Sequence, residues 1–274
     1  MYAVGCTDPG IDMKETWDSL IGRAERLAIE RPESRELLAF YAVVLRSQSD
    51  INEYLRTRKG WLPIGALEID LPILREKYPL LLQTVASNGP ETLASQARNL
   101  LAASDGEKDQ MLIDFWRAPS DTEFFAKAFL QPYARWLSES GAKPIDRVLG
   151  VGANRCPFCG SKPQVSVLQI REASSESGGR DLICSMCLTA WPFRRVVCVR
   201  CGEEDPAKIG YYHSPEYDHI RIETCDVCKY YIKAVDLTTY GLAVPLVDEV
   251  AAAPLDLWAR EHGFSKIEIN LVGL

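Results

Sequence analysis

Eight of the nine cysteines of this chain fall in four C-x-x-C pairs between Cys156 and Cys228, and only Cys6 stands apart. The pairs are Cys156/Cys159, Cys184/Cys187, Cys198/Cys201 and Cys225/Cys228. No other feature restricts the fold as strongly. A C-x-x-C turn is short enough for both sulfurs to hold one ion, and four thiolates complete a closed tetrahedral site. Cys156 and Cys198 lie 42 residues apart, as do Cys159 and Cys201. Cys184 and Cys225 lie 41 apart, as do Cys187 and Cys228. The spacing describes a tandem duplication in which each unit supplies four thiols around a β-hairpin. Sequential pairing gives one site from Cys156, Cys159, Cys184 and Cys187 and another from Cys198, Cys201, Cys225 and Cys228. A cross-brace or a nested pairing is an alternative with the same residues. Gly160 and Gly202 follow the first pair of each unit, where a left-handed residue suits the turn. Leu188 and Lys229 follow the second pair, so those knuckles are expected to be built differently.

The first half reads as helices. Trp17, Leu20, Ile21, Ala24, Leu27 and Ala28 form one stripe at helical spacing, and Leu37, Leu38, Tyr41, Val44, Leu45, Ile51, Tyr54 and Leu55 a second. These faces are expected to line a core. A third helix is expected to be interrupted at Pro79, and Pro90 to open a fourth. Ser120 and Glu123 have capping-box spacing ahead of a helix that Pro132 is expected to kink or split. The Gly-containing stretch 140–155 marks a boundary. Beyond it, "QVSVLQI", "DLICSM", "RRVVCV", "KIGYYH", "HIRIETC" and "YYIKAVDL" read as strands, and "EASSESGGR" as a hairpin loop. "VDEVAAAPLDLWAREHGF" reads as one helix stopped by Gly263. The expected fold is α+β: an all-helical domain over 1–145, four-cysteine modules of the ribbon type over 146–195 and 196–240, and a C-terminal helix and tail over 241–274.

The formal net charge of −7 argues against a protein whose main task is gripping nucleic acid. No apolar run is long enough to cross a bilayer, so no membrane insertion is expected. With no export leader recognisable at the start, clustered cysteine pairs are expected to bind metal in a reducing cytoplasm rather than form disulfides. A thioredoxin-type redox pair is a poorer fit, since it uses one C-x-x-C beside a βαβ pattern. All-cysteine sites take Zn(II), or iron in a rubredoxin-like site. Arg180, Arg194, Arg195, Arg200, Arg221, Lys229 and Lys233 are near enough in sequence to offset the thiolate charge. His213 and His219 are expected to be surface hairpin residues. No catalytic constellation is recognisable, so no catalytic residue is assigned.

The knuckle segments "CPFCGSKP", "LICSMCLTAWPFRRVVCVRCG" and "RIETCDVCKYYIKAVDL", with the end segment "LDLWAREHGFSKIEINLVG", resemble the formate dehydrogenase accessory protein family FdhE. The helical "RPESRELLAFYAVVL" and the Gly89-Pro90 turn fit it too, so the resemblance spans most of the chain. It implies a cytoplasmic maturation factor that is not an enzyme and that associates with the catalytic subunit of formate dehydrogenase before assembly and export. It implies a helical domain joined to two rubredoxin-like modules holding two metal ions. Iron is favoured by the resemblance, with zinc the alternative. The ligands carried over are Cys156, Cys159, Cys184, Cys187, Cys198, Cys201, Cys225 and Cys228. Other readings of the residues are a zinc-ribbon nucleic-acid binder and a rubredoxin-like electron carrier or sulfur-transfer protein.

Overall fold

The computed structural model describes residues 15–120, 123–146, 152–170 and 178–273. Cys6 and most of the "EASSESGGR" loop lie outside them. Helix α1 (Trp17–Glu30) starts at Thr16, whose hydroxyl accepts the Ser19 N–H at 3.1 Å. It buries Trp17, Leu20, Ala24 and Leu27 against α2 (Arg35–Thr57), which in turn buries Leu38, Tyr41, Val44, Leu45, Ile51 and Leu55. The two predicted stripes are therefore core faces.

Helices α3 (Leu67–Leu74) and α4 (Tyr78–Asn88) are separated by a single 3-10 turn, Arg75–Lys77. The interruption thus precedes Pro79, which sits in the first turn of α4 where its missing N–H costs nothing. Pro90 caps α5 (Glu91–Ala102). The capping box forms at Ser104 and Glu107 ahead of α6 (Asp105–Arg117), not at the expected place. Glu123 is the N-cap of α7 (Phe124–Ser140) but makes no capping hydrogen bond there.

Helix α7 is not split by Pro132. Proline has no N–H to offer the carbonyl four residues back, that of Ala128. Gln48 on α2 fills the gap: its Nε2 donates to the Ala128 oxygen at 2.7 Å, and Asn52 donates to the Pro132 oxygen at 3.3 Å. The helix survives its proline because a neighbouring helix satisfies the orphaned carbonyl. Gln48→Ala is accordingly expected to cost about 1–3 kcal/mol, the penalty for an unpaired buried acceptor. A chemical denaturation midpoint, compared with that of the exposed-site control Gln110→Ala, measures it. Helix α7 runs through the middle of the helical core, with Phe129 against Tyr78 (ring centroids 4.5 Å apart) and Tyr133 against Trp116 (5.4 Å).

The second half is one seven-stranded sheet. Strands β1 (Pro163–Gln169), β2 (Gly179–Cys184) and β3 (Ala190–Pro192) come from the first repeat. Strands β4 (Ile209–His213), β5 (Ile220–Cys225) and β6 (Tyr230–Asp236) come from the second. Each trio is an antiparallel meander. The trios join by parallel pairing of β1 with β6, Ser166 opposite Ala234 and Val167 opposite Val235. The order is β3-β2-β1-β6-β5-β4. "RRVVCV" is not a strand. The third strand of the first repeat lies before it and stops at Pro192, which cannot continue a ladder as a donor.

The C-terminal segment forms two short helices rather than one, α8 (Pro245–Ala251) and α9 (Ala253–Glu261). The chain breaks at Ala252, and Pro254 falls in the first turn of α9, where its missing N–H costs nothing. The break is satisfied from the sheet: Lys233 on β6 donates to the carbonyls of Glu249 and Ala252 and pairs with Asp256. Gly263 (φ +80°) ends α9 as expected. The tail then adds β7 (Ser265–Lys266) alongside β6. Lys266 pairs with Glu249, so two buried lysines face two buried carboxylates between the sheet and the last helices. Tyr231 donates to Asp256 at 2.7 Å and Asn270 to Glu249 at 3.0 Å, completing a satisfied network. Helix α8 also packs on α1, where Arg23 makes a two-pronged pair with Asp248 at 2.6 and 2.9 Å. No helix among the described residues is long and apolar enough to cross a membrane.

Candidate metal centres

The repeat places its thiols at equivalent points of each meander. Cys156 and Cys159 sit in the turn before β1, as Cys198 and Cys201 do before β4. Cys184 ends β2 and Cys225 ends β5, and Cys187 and Cys228 follow in the next turn. The strands therefore bring the far knuckle of each unit back to the near one. The thiols gather as Cys156, Cys159, Cys184 and Cys187, and as Cys198, Cys201, Cys225 and Cys228, with all sulfurs of a group within 4.8 Å of one another. The grouping is sequential, and the chain forms neither the cross-brace nor the nested arrangement.

Across the first group, Cys156 lies 3.5 Å from Cys187 and Cys159 lies 3.4 Å from Cys184, sulfur to sulfur. Across the second, Cys198–Cys228 and Cys201–Cys225 are both 3.7 Å. A tetrahedral ion with metal–sulfur bonds of about 2.3 Å sets its sulfurs about 3.8 Å apart. Both groups therefore fit such an ion, and the separations are far beyond a disulfide bond of about 2.05 Å. Burial and the neighbouring sulfurs push Cys184 and Cys187 well above the usual thiol range. A cation at the centre of the group would make four buried thiolates tolerable.

All four knuckles share one backbone. The residue after the second cysteine is left-handed in each: Gly160 (φ +71°), Gly202 (+79°), Leu188 (+59°) and Lys229 (+58°). Leu188 and Lys229 are the positive-φ non-glycine residues among the described residues, so the second knuckles are not built differently as expected. Metal-knuckle geometry overrides the local preference, at a cost of about 1–2 kcal/mol per residue. Leu188 recovers some of it by packing on the core, and Lys229 by pairing with Asp226 at 2.7 Å. Lys229→Gly is expected to leave the melting temperature unchanged or raised, within about 1 kcal/mol, despite losing that exposed pair. Leu188→Gly, which also removes a packed side chain, is expected to lower it. Calorimetry on the two variants makes the comparison.

The knuckle amides point at sulfur. Met186 and Cys187 donate to Cys184 at 3.3 and 3.4 Å, and Arg200 and Cys201 to Cys198 at 3.4 and 3.5 Å. The expected basic side chains do not take this part. Arg180 is buried and pairs with Glu223, while donating to the carbonyls of Arg194, Arg195 and Val197 at 3.1 Å each. Arg221 pairs with the same Glu223, Arg194 with Glu204 and Lys229 with Asp226. Lys233 belongs to the buried network already described, and the Arg200 guanidinium lies 3.2 Å from the centre of the Tyr230 ring. Arg195 donates to the Gly178 carbonyl at 3.4 Å. These cations serve carboxylates, carbonyls and a ring, while backbone N–H groups point at the Cys184 and Cys198 sulfurs.

His213 is exposed, but His219 is not a surface residue as expected. Its ring is buried and lies 2.9 Å from Asp248 and 3.2 Å from Asp218. Burial alone would push this imidazole down, but the two carboxylates outweigh it and hold the pKa above its usual value. Burial likewise works against the Asp248 carboxylate, yet Arg23 and His219 hold it below its usual range. The sequence carried no sign of this cluster, because its members lie 225 and 29 residues apart.

The centres are surrounded differently. Cys156, Cys159, Cys184 and Cys187 belong to the main core together with the helices. Gln131 on α7 donates to the carbonyl of Ser185, inside the second knuckle, at 2.8 Å, and itself accepts from Gln48 at 2.9 Å. The hydroxyls of Ser161 and Thr189 lie 3.4 and 3.2 Å from the Cys159 and Cys187 sulfurs. In the second group Cys201 is exposed and Cys228 half-buried.

Comparison with known proteins agrees with this architecture. A family profile described as "FdhE, central domain" matches residues 155–195, and one described as "FdhE, C-terminal domain" matches residues 196–272. The "Protein FdhE homolog" of Aquifex aeolicus (strain VF5) is 34% identical over 260 residues, spanning 88% of this chain and 90% of that protein. "Protein FdhE" of Escherichia coli O1:K1 / APEC is 30% identical over 272 residues, spanning 90% of this chain and 85% of that protein. The crystal structure of the FdhE protein from Pseudomonas aeruginosa has the same fold. It superposes with a TM-score of 0.67 at 22% identity, over 93% of this chain and 94% of that one. On sequence along nearly its whole length, this chain belongs to the FdhE family.

Proposed function

We propose that this chain is a formate dehydrogenase accessory protein: a maturation factor, not an enzyme, that binds the catalytic subunit of formate dehydrogenase in the cytoplasm. Family membership supports the client. The observation that carries the mechanism is the pair of four-thiol groups held by a duplicated sheet and, in the first case, anchored to the helical half. In this reading Cys156, Cys159, Cys184 and Cys187 hold one metal ion, and Cys198, Cys201, Cys225 and Cys228 a second. Iron is favoured by the family resemblance, and zinc suits the same donors. Bound ions supply folding energy to modules with little core of their own. The helical region 1–145 and the modules 146–195 and 196–240, with the closing segment 241–274, form one scaffold that presents a surface to the client.

The reading is tested in cells lacking the protein. Formate dehydrogenase catalytic subunit is expected to accumulate there without formate-oxidising activity, and activity to return with the wild-type chain. Affinity-tagged chain is expected to capture that subunit. Full enzyme activity in the deletion strain, or failure to capture the subunit from cells that make it, contradicts the proposal.

A further inference from the structure

The two centres have the same donors and nearly the same geometry, yet they stand in opposite surroundings. The first is sealed: its four cysteines are 0–3% exposed. Its sulfurs have hydroxyl neighbours at Ser161 and Thr189, and its second knuckle is tied to α7 through Gln131. Reaching an ion there means parting the sheet from the helices. At the second centre Glu203 and Tyr230 stand where the first has Ser161 and Thr189, so those hydroxyl neighbours are absent. Cys198 and Cys225 form a small satellite cluster with Ile209 and Cys228, apart from the main core. Gly202, next to the exposed Cys201, has nothing within 4 Å of where a side chain would begin. Val227, between the cysteines of the other knuckle, is 55% exposed.

Replacing ligands on a four-thiolate ion requires an incoming donor to reach the metal. Small satellite clusters open locally at a fraction of the global unfolding cost, whereas parts of the main core do not. We infer that the second centre is the exchange site of this protein. Its ion passes to and from an external thiolate or chelating ligand, with Cys201 the first ligand displaced, while the ion of the first centre stays locked. The inference rests on the reading that the eight cysteines hold two ions. The step is a substitution. The incoming sulfur donates a lone pair to form one metal–sulfur bond, and the metal–Cys201 bond breaks with its electron pair on sulfur. Cys201 is released as the free thiolate, and the oxidation state of the metal does not change.

The test uses the full chain loaded with Zn(II) and challenged with a coloured chelator, pyridylazoresorcinol, in excess. Two ions are expected to leave in two phases of one equivalent each, the first about 100-fold faster than the second. Cys201→Ser is expected to lose the fast phase and keep the slow one. Because that variant can fail for structural reasons, the loaded wild-type chain is also treated with limiting N-ethylmaleimide and mapped by peptide mass. Among the eight cysteines of the two centres, Cys201 is expected to be labelled first, Cys228 next, and the cysteines of the first centre last; Cys6, outside both centres, is not scored. Two ions leaving at a single rate, a fast phase that survives in Cys201→Ser, or first labelling at Cys156, Cys159, Cys184 or Cys187 overturns the inference and leaves the two-ion reading intact. A chain that binds fewer than two zinc ions overturns both.

Discussion

Cys159→Ser is expected to strip the chain of one ion and to unfold the sheet around the first centre. Structural four-ligand zinc sites contribute apparent binding energies of about 10–16 kcal/mol, which in small modules is folding energy. A domain of this kind is stable by only about 5–15 kcal/mol in total, so losing one ligand of a buried centre consumes most of the margin. The damage is expected to spread. Cys159 is fully buried in the core shared with the helices, and Gln131 links the same centre to Gln48 and the Pro132 site. Soluble yield and the cooperative thermal transition are both expected to fall sharply, and limited proteolysis to cut within 152–200. Cys201→Ser, at an exposed thiol beside a satellite cluster, is expected to keep the helical half and the first centre folded.

Asp248→Ala is expected to destabilise the chain by about 3–5 kcal/mol, the usual result of leaving a buried cation unpaired. Arg23 is only 4% exposed and makes its two-pronged contact with this carboxylate. The same carboxylate accepts the N–H of Val244 at 2.8 Å, which starts α8, and faces His219. One substitution thus loosens α1, β5 and α8 together. The pH response follows from the two shifts. The raised His219 pKa contributes stability that is complete below its unfolded value, about 6.5, and disappears as pH rises through the folded value. The lowered Asp248 pKa contributes stability present above its unfolded value, about 3.9, and lost as pH falls through the folded one. The latch is therefore strongest between about pH 4 and pH 6.5. Wild-type stability is expected to decline above that window through this latch, and His219→Gln to flatten the decline. Denaturation midpoints across pH 5–8.5 for both proteins decide it.

The thiol groups were legible in the sequence because the information that pairs them is carried by the chain itself. Offsets of 42 and 41 residues between like cysteines announce a duplicated unit, and a duplicated unit folds as one. The apolar stripes of α1 and α2 were legible for the same reason, since burial follows their own period. What escaped depends on partners elsewhere. Pro132 marks a helix break by local rules, and only Gln48, 80 residues away from the Ala128 carbonyl, prevents one. Leu188 and Lys229 carry no local signal for left-handed backbone, yet closure of the knuckle imposes it. Ser104-x-x-Glu107 and Ser120-x-x-Glu123 spell the same capping pattern, and the structure puts the helix start behind the first. His219 looked like a hairpin residue until α8 brought Asp248 against it. The parallel seam between β1 and β6, which fuses two repeats into one sheet, leaves no trace in the composition of either strand.

Whether the eight cysteines hold two ions is decided by metal analysis with a visible spectrum on protein purified without added metal and without oxygen. Two ions per chain are expected, falling to one in Cys201→Ser. Iron is expected to show thiolate-to-iron charge-transfer bands after oxidation, and zinc to leave the sample colourless. A wild-type chain that folds cooperatively while holding no metal, or holding the same amount when Cys201 is replaced, contradicts the account.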